Sequence, residues 1–374
     1  CCPLRWPLLL SSLAPSNFVA HAAVARTTPS MDAAACLRAD FAPGNVPKGV
    51  AWSPDGTCLL TATEDARVRL YEVPGAVLDG GAPPSRDWAE TFACAEGEAV
   101  YDYKWYPQMH SDDPISCCFA SCGRGQPAHL WDAFTGACRG SYVGRDHLDE
   151  NAPAYSLAFS PSGARLLCGG DRCVRVFDTG RCGSDCDARP TAATRRAKSG
   201  VKGLLGALAC RDEAVYAVGS YGGQIAVYDG REPSTGPALR VCKDKPLGGV
   251  TALAFDGRGR LFAACRNERD RACVRGFDLR TGRVAVRCRR GATPSHQRLG
   301  FDLREDRLLA GGADGRVFVF DVAPGSSSTD AAADAPVVAE LPRAPDCCNG
   351  AAFHPHRPLV ALASGQRHYA DPGS

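Results

Sequence analysis

A chain of 374 residues is long enough to bury a substantial core and fits either two ordinary domains or one large all-β domain. Aromatics at 8%, charged residues at 22% and 40 glycines describe a turn-rich globular chain, neither disordered nor fibrous, and no uninterrupted apolar run approaches the roughly 18 to 20 residues a membrane-spanning helix needs. A formal net charge of +2 excludes a whole-molecule attraction to nucleic acid or acidic membranes, so any such preference must come from a local patch.

In chain order, the first feature is an apolar stretch, Trp6 to Leu13, that has the look of a signal-peptide core. No methionine precedes it, and the first is Met31. The stretch therefore reads as upstream sequence rather than a targeting element, and residues 1–34 are expected to be unstructured or non-native.

A repeat begins at Gly49. The segment Gly49 to Val73, GVAWSPDGTCLLTATEDARVRLYEV, gives an alternating strand, a Ser-Pro-Asp-Gly turn, a second strand, a small polar turn and a third strand. Proline presets φ at the start of such a turn and glycine accepts positive φ, so the punctuation has a physical cause. The same order recurs in Ala154 to Thr179, Gly249 to Leu279 and Gln297 to Val322. Third strands close on Tyr71-Glu72, Trp131-Asp132, Phe177-Asp178, Tyr228-Asp229, Phe277-Asp278 and Phe320-Asp321, spaced by about 43 to 60 residues. Order, turn chemistry and period together predict an all-β, seven-bladed WD40 β-propeller over residues 35–374.

In such a blade the first strand lines a central channel and the fourth lies at the rim. Leu157, Phe159, Leu253, Phe255 and Phe301 are then blade core, and Asp65, Asp171 and Asp314 are structural acceptors in turns between second and third strands. The seventh blade starts at Cys347, supplies two strands and stops at Ser374. With Ala35 to Phe41 as its outermost strand, one strand's width is expected to stay unfilled, leaving an incomplete blade with unpaired backbone groups. Linkers are expected at Gly75 to Ser85 and Pro324 to Ala335.

The twenty cysteines sit mostly at strand positions such as Cys58, Cys168, Cys210 and Cys265, where a free thiol packs as a small hydrophobe. The tightest groupings, Cys117-Cys118 with Cys122 and Cys182 with Cys186, lack the repeated C-x-x-C spacing of a zinc site, so no metal or other cofactor is expected. An enzyme is not expected either. The eight histidines are dispersed, His354 and His356 read as a surface turn, and neither a G-x-S-x-G elbow nor a phosphate-cradling glycine loop is present.

Several stretches are too particular for generic blade sequence. VYDYKWY at Val100 to Tyr106, HLWDAFTG at His129 to Gly136, HLDE at His147 to Glu150 and CVRVFDT at Cys173 to Thr179 follow in that order. VGSY at Val218 to Tyr221, QRLGFD at Gln297 to Asp302, DCCNG at Asp346 to Gly350 and ASGQR at Ala363 to Arg367 come later. Together they resemble the telomerase Cajal body protein family over about Val46 to Arg367. The resemblance implies a nuclear, Cajal-body WD40 scaffold that binds the CAB-box loop of small Cajal body RNAs and telomerase RNA and directs these particles to Cajal bodies and telomeres. It also implies RNA-protein particle proteins of the dyskerin type as partners, with no membrane. A chaperonin for folding is an expectation from the WD40 class. The family's Pro-rich, acidic N-terminal extension and the end of the seventh blade are not found in this sequence.

Blade topology places an RNA site independently. Loops leading into first strands and turns joining second to third strands share one face, around the channel mouth. Those loops hold Lys48, Arg124, Arg172, Lys202, Arg266, Arg298 and Arg367, about one cation per blade, with Tyr221 among them. A cationic ring on a near-neutral protein suits phosphate tracking, and a tyrosine or guanidinium plane can stack an unpaired base. Basicity here comes almost wholly from Arg, with only six Lys, which looks like GC-rich coding; Arg abundance alone is thus a poor guide. The rival reading is a protein-only scaffold such as a cullin-type ubiquitin ligase substrate receptor, since Phe277-Asp278-Leu279-Arg280 resembles the W-D-x-R box of those receptors.

Overall fold

The computed structural model describes residues 21–27, 33–81, 88–192, 200–232, 236–241, 247–266, 273–291, 297–323 and 333–367. Among these, the strands form seven sheets, six of four strands and one of five, with antiparallel neighbours except for a short parallel addition at Ala333–Asp334 on the fifth sheet. The innermost strands are Ala51–Trp52, Val100–Trp105, Ser156–Phe159, Leu205–Cys210, Val250–Phe255, Phe301–Arg304 and Cys348–Phe353. Each runs beside the next around a central channel, and Cys348–Phe353 returns to Ala51–Trp52.

Strand alternation explains why the sheets stack radially. Each second and third strand sends side chains to both faces, and both faces meet a neighbouring sheet. Seven apolar clusters result, one at each junction of successive sheets. Phe262 and Phe277, both fully buried on the second and third strands of the fifth sheet, point to opposite junctions. Burying a side chain of this kind is worth about 1.5–3 kcal/mol. Leu157 is fully buried, and Phe159, Leu253, Phe255 and Phe301 pack partly buried against the same clusters.

The turns behave as their chemistry requires. In the Ser-Pro-Asp-Gly turn, Asp55 accepts from Ser53 Oγ at 2.6 Å and from the Thr57 amide at 3.1 Å, and Gly56 takes φ +78°. Asp65 accepts from Thr63 Oγ1 at 2.5 Å and from both Arg69 terminal nitrogens, and Asp314 accepts from the Arg316 amide and Nε. Asp171, whose residue bridges Leu204 across to the fourth sheet, lies 3.4 Å from Arg172 Nε.

Two expectations are corrected. The gap in the seventh sheet is filled: its order is Cys348–Phe353, Leu359–Ser364, His21–Thr27, Ala33–Asp40. His21–Thr27 pairs with Leu359–Ser364 from His21↔Ser364 to Arg26↔Leu359 and with Ala33–Asp40 on its other side. An exposed strand edge is a row of unmet donors and acceptors, and this segment satisfies it. Val24, with 0% exposure, joins Trp52, Leu59 and Leu359 in the junction between the seventh and first sheets. A segment set aside as non-native thus contributes a structural strand, while the apolar stretch Trp6 to Leu13 lies outside the described residues. His354 is the second correction. It is buried rather than in a surface turn, because Gly56 has no side chain to occupy the space its ring fills; the ring meets Trp52 edge-on at 4.6 Å and its Nε2 lies 3.0 Å from the Gly56 carbonyl. Burial pulls its pKa down to about 4.

Candidate nucleic-acid interface

At one end of the channel, the loops leading into inner strands and the turns between second and third strands surround a cavity of about 730 Å³. Lys48, Tyr221, Arg298 and Arg367 line it, so four of the eight residues singled out from sequence meet in one cavity. Arg172 and Lys202 share an adjoining depression of about 310 Å³. Arg124 stands exposed beside the inner strand of the second sheet, its amide bonded to the Ala99 carbonyl at 3.0 Å. Arg266 lies over the Tyr221 ring, 4.5 Å from its centroid.

The cavity cations are not free. Arg298 crosses the channel from the sixth sheet: its Nε donates to the Thr251 carbonyl at 3.0 Å, Nη1 to the Tyr101 carbonyl, and Nη2 to Asp102 Oδ1 at 3.1 Å. Lys104 Nζ lies 3.6 Å from the same carboxylate oxygen. Asp102 Oδ2 meanwhile accepts the Leu157 amide of the third sheet at 3.0 Å. Burial works to raise the Asp102 pKa, but the charges of Arg298 and Lys104 and the Leu157 and Tyr103 amides outweigh it and hold the carboxyl below its usual range. On the opposite wall Glu64 Oε2 takes Arg367 Nη2 at 2.7 Å and Lys48 Nζ at 3.7 Å. Two carboxylates therefore hold the four cations that face the cavity.

The second to fifth sheets differ. Among the described residues no carboxylate pairs with Arg124, Lys202 or Arg266, and Arg172 has only the 3.4 Å approach of its chain neighbour Asp171. Arg172 adopts φ +53°, a left-handed conformation uncommon for a side-chain-bearing residue. On the cavity side of these cations, Tyr101 packs on Tyr155 with ring centroids 5.4 Å apart and planes inclined by 33°. Burial raises the Tyr155 phenol, and the neighbouring Tyr101, Asp171 and Tyr221 add to the rise.

Sequence reasoning missed Glu64, Asp102, Lys104, Tyr101 and Tyr155. The available signal was the VYDYKWY strand, where a charged residue at every second position interrupts an inner strand; inner strands have a channel-facing side, and Asp102 and Lys104 mark it. Asp302 carries the same signal. Its oxygens accept the Leu303 amide and, on the seventh sheet, the Phe353 amide, both at 2.8 Å. Burial pushes its carboxyl up to about 6, against those two amides and the charges of Arg304 and Lys104.

On the far face, Arg280 of the Phe-Asp-Leu-Arg segment is 90% exposed and pairs with its own Asp278 at 3.1 Å. Arg231 and Asp229 repeat this arrangement one sheet earlier at 2.5 Å, so the feature is a property of the turn rather than of one docking site.

Radial sheets, recurring aspartate turns and a loop-lined channel mouth define an all-β WD40 β-propeller, and the family model "WD domain, G-beta repeat" matches residues 41–72 and 138–178. Within that class the chain is similar over most of its length to telomerase Cajal body proteins. It is 38% identical over 335 residues to Telomerase Cajal body protein 1 of Mesocricetus auratus, covering 88% of this chain and 60% of that protein. Identity to the Drosophila melanogaster homolog is 33% over 338 residues, 87% of this chain and 58% of that one. The Guanine nucleotide-binding protein negative regulator 1 of Schizosaccharomyces pombe is 31% identical over 283 residues, 71% of this chain and 68% of that protein. The chain spans about 60% of the length of the first of these relatives.

Proposed function

We propose that this protein is a nuclear, Cajal-body RNA-binding scaffold whose seven sheets act as seven blades, and that it recognises the CAB-box loop of small Cajal body RNAs and telomerase RNA at the channel mouth. The observation that carries the reading is the arc of cations on the second to fifth sheets, Arg124, Arg172, Lys202 and Arg266, set beside tyrosine rings on a protein of near-zero net charge. Single-stranded RNA is held by this combination: cations track the backbone and aromatic or guanidinium planes take unstacked bases. Similarity to proteins named for telomerase and the Cajal body supports the choice of RNA and compartment. Proteins of dyskerin-type particles and a folding chaperonin belong to the same proposal, as does a scaffold role without catalysis.

Three or four phosphate contacts give a log–log salt slope of about −2 to −3 on single-stranded RNA, shallower than a full ring of cations would give. Titration of a CAB-box RNA across a salt series, with wild type and an Arg172→Glu, Lys202→Glu double variant, tests this. Salt-independent binding, or unchanged affinity in the double variant, sinks the RNA reading. Crosslinking and sequencing of bound RNA from cells tests its identity. Recovery of no RNA, with binding to a ligase adaptor that Arg280→Glu abolishes, would favour the protein-only scaffold.

A further inference from the structure

Charge is arranged unevenly around the mouth. Inside the cavity Glu64 and Asp102 each hold two cations, so a phosphate entering there would have to displace a carboxylate already in place. Outside it, Arg124, Arg172 and Lys202 have no such strong partner among the described residues. Flat groups stand at the cavity on four consecutive sheets: Tyr101 of the second and Tyr221 of the fourth line it, Tyr155, leading into the third, packs on Tyr101, and Arg266 of the fifth lies over Tyr221.

These planes are held in place. The Tyr101 carbonyl receives the Arg298 guanidinium from across the channel, which fixes the backbone under that ring, and Tyr155 braces it from the side. The Tyr221 ring lies so close to Gly206 that a Cβ at position 206 would sit 2.7 Å from it, and its upper face backs the Arg266 guanidinium at 4.5 Å. Half-buried aromatic groups beside an opening, already ordered and already desolvated on one side, lose little entropy when a flat ligand lands on them.

We propose that the mouth sorts an RNA strand by chemical group: unpaired bases turn inward onto Tyr101, Tyr155 and the Tyr221-backed Arg266, while phosphates stay outside on Arg124, Arg172 and Lys202. The proposal rests on the RNA reading above and assigns the stacking surface within it. Arg298 acts here as a positioning residue through Tyr101 and touches no phosphate.

The experiment uses the full chain and a short single-stranded CAB-box RNA carrying 2-aminopurine at successive positions, with an abasic version of each. Wild type quenches 2-aminopurine at the seated positions. Tyr101→Leu and Tyr155→Leu lose roughly 5- to 150-fold in affinity with the salt slope unchanged, whereas Tyr101→Phe and Tyr155→Phe retain both affinity and quenching. The abasic RNA binds wild type and the Leu variants alike. Wild-type affinity and quenching in folded Leu variants overturn the proposal, as does an equal loss on abasic RNA. The phenylalanine variants keep the test valid if a leucine variant fails to fold, because loss of quenching in them would refute stacking just as directly. If the Arg172→Glu, Lys202→Glu variant weakens RNA binding but the tyrosines prove indifferent, only this inference fails; if neither change matters, the RNA reading fails with it.

Discussion

The second to fifth sheets and the sixth, seventh and first present the same kinds of loop to the same channel mouth, yet they treat charge in opposite ways. On the first arc Arg266 lies over Tyr221, no described carboxylate pairs with Arg124, Lys202 or Arg266, and Arg172 meets only its chain neighbour Asp171. On the second arc Arg298, Arg367 and Lys48 are each drawn to a carboxylate of the protein itself. A count of cations would rate the two arcs nearly alike, at four and three. The difference lies in Glu64 and Asp102, which engage three candidate ligand contacts, Arg298 and Arg367 across sheets and Lys48 within the first, and in Lys104, which shares Asp102 with Arg298. A cation near a mouth is a ligand contact only when nothing internal already satisfies it.

The comparison breaks most severely where the committed arc is closed. A chain beginning at residue 33 lacks His21–Thr27 and exposes the edge of Leu359–Ser364, together with the junction that Val24 fills. Thermal unfolding and light scattering should show aggregation and loss of the cooperative transition; a normal melt would mean that the strand is dispensable.

Next in size is Arg298→Met. Removing one partner leaves Asp102 buried without its strongest counter-charge, a loss of about 2–4 kcal/mol, trimmed from the full-burial figure because the guanidinium is partly exposed. Adding Asp102→Asn should recover part of that loss. If Arg298→Met instead leaves stability intact and reduces the RNA salt slope, Arg298 belongs with the free arc.

A third test uses pH. Because the folded Asp302 carboxyl titrates near 6 and an unfolded one near 3.8, the folded state binds the extra proton between those values. Its contribution to stability is present below about pH 4 and is lost as pH rises through 6. Asp302→Asn should flatten that segment of the stability profile with little net gain at pH 7, because its amide nitrogen cannot accept one of the two backbone N–H bonds that the carboxylate oxygens take. Asp65, whose bonds to Arg69 hold it near 2 despite burial, has the opposite sign: its contribution is present above about pH 4 and is lost as pH falls towards 2. An unchanged profile in Asp302→Asn would show that the carboxylate is not strained.

The smallest effect on stability, within about 1 kcal/mol, is expected from Glu64→Gln, since the pairs it makes are partly solvent-exposed. Its effect on RNA should be larger in kind: Lys48 and Arg367 become available, and the salt slope steepens by up to about 1.4. An unaltered slope would show that the two cations are kept from RNA by something other than Glu64.

Much of the fold was legible because the repeat states it several times. Turn residues such as Asp55 and Gly56 and strand residues such as Leu157 obey local rules, and local rules are written in local sequence. The closing strand was not legible. HAAVART is a short, small-residue segment with no turn signal of its own, and its partner Leu359–Ser364 lies at the far end of the chain. The burial of His354 depends similarly on Gly56, which is nearly three hundred positions away. At the mouth, sequence placed the cations on the right face but could not say which were spoken for, because Arg298 meets Asp102 across the channel and Arg367 meets Glu64 from another sheet.

The pairing of His21–Thr27 with Leu359–Ser364 also sets a timetable for biosynthesis. Ribosomes extend chains at about 5–20 residues per second, so the early strand leaves the exit tunnel on the order of half a minute before its partner has been polymerised. Throughout that interval the nascent protein carries a strand with no template and a first sheet with no neighbour on one side. Each intersheet junction can form as its two sheets emerge, but the circle becomes continuous only once Leu359–Ser364 has been made. A cell that makes this protein has to shelter an open arc of sheets until its two ends can meet.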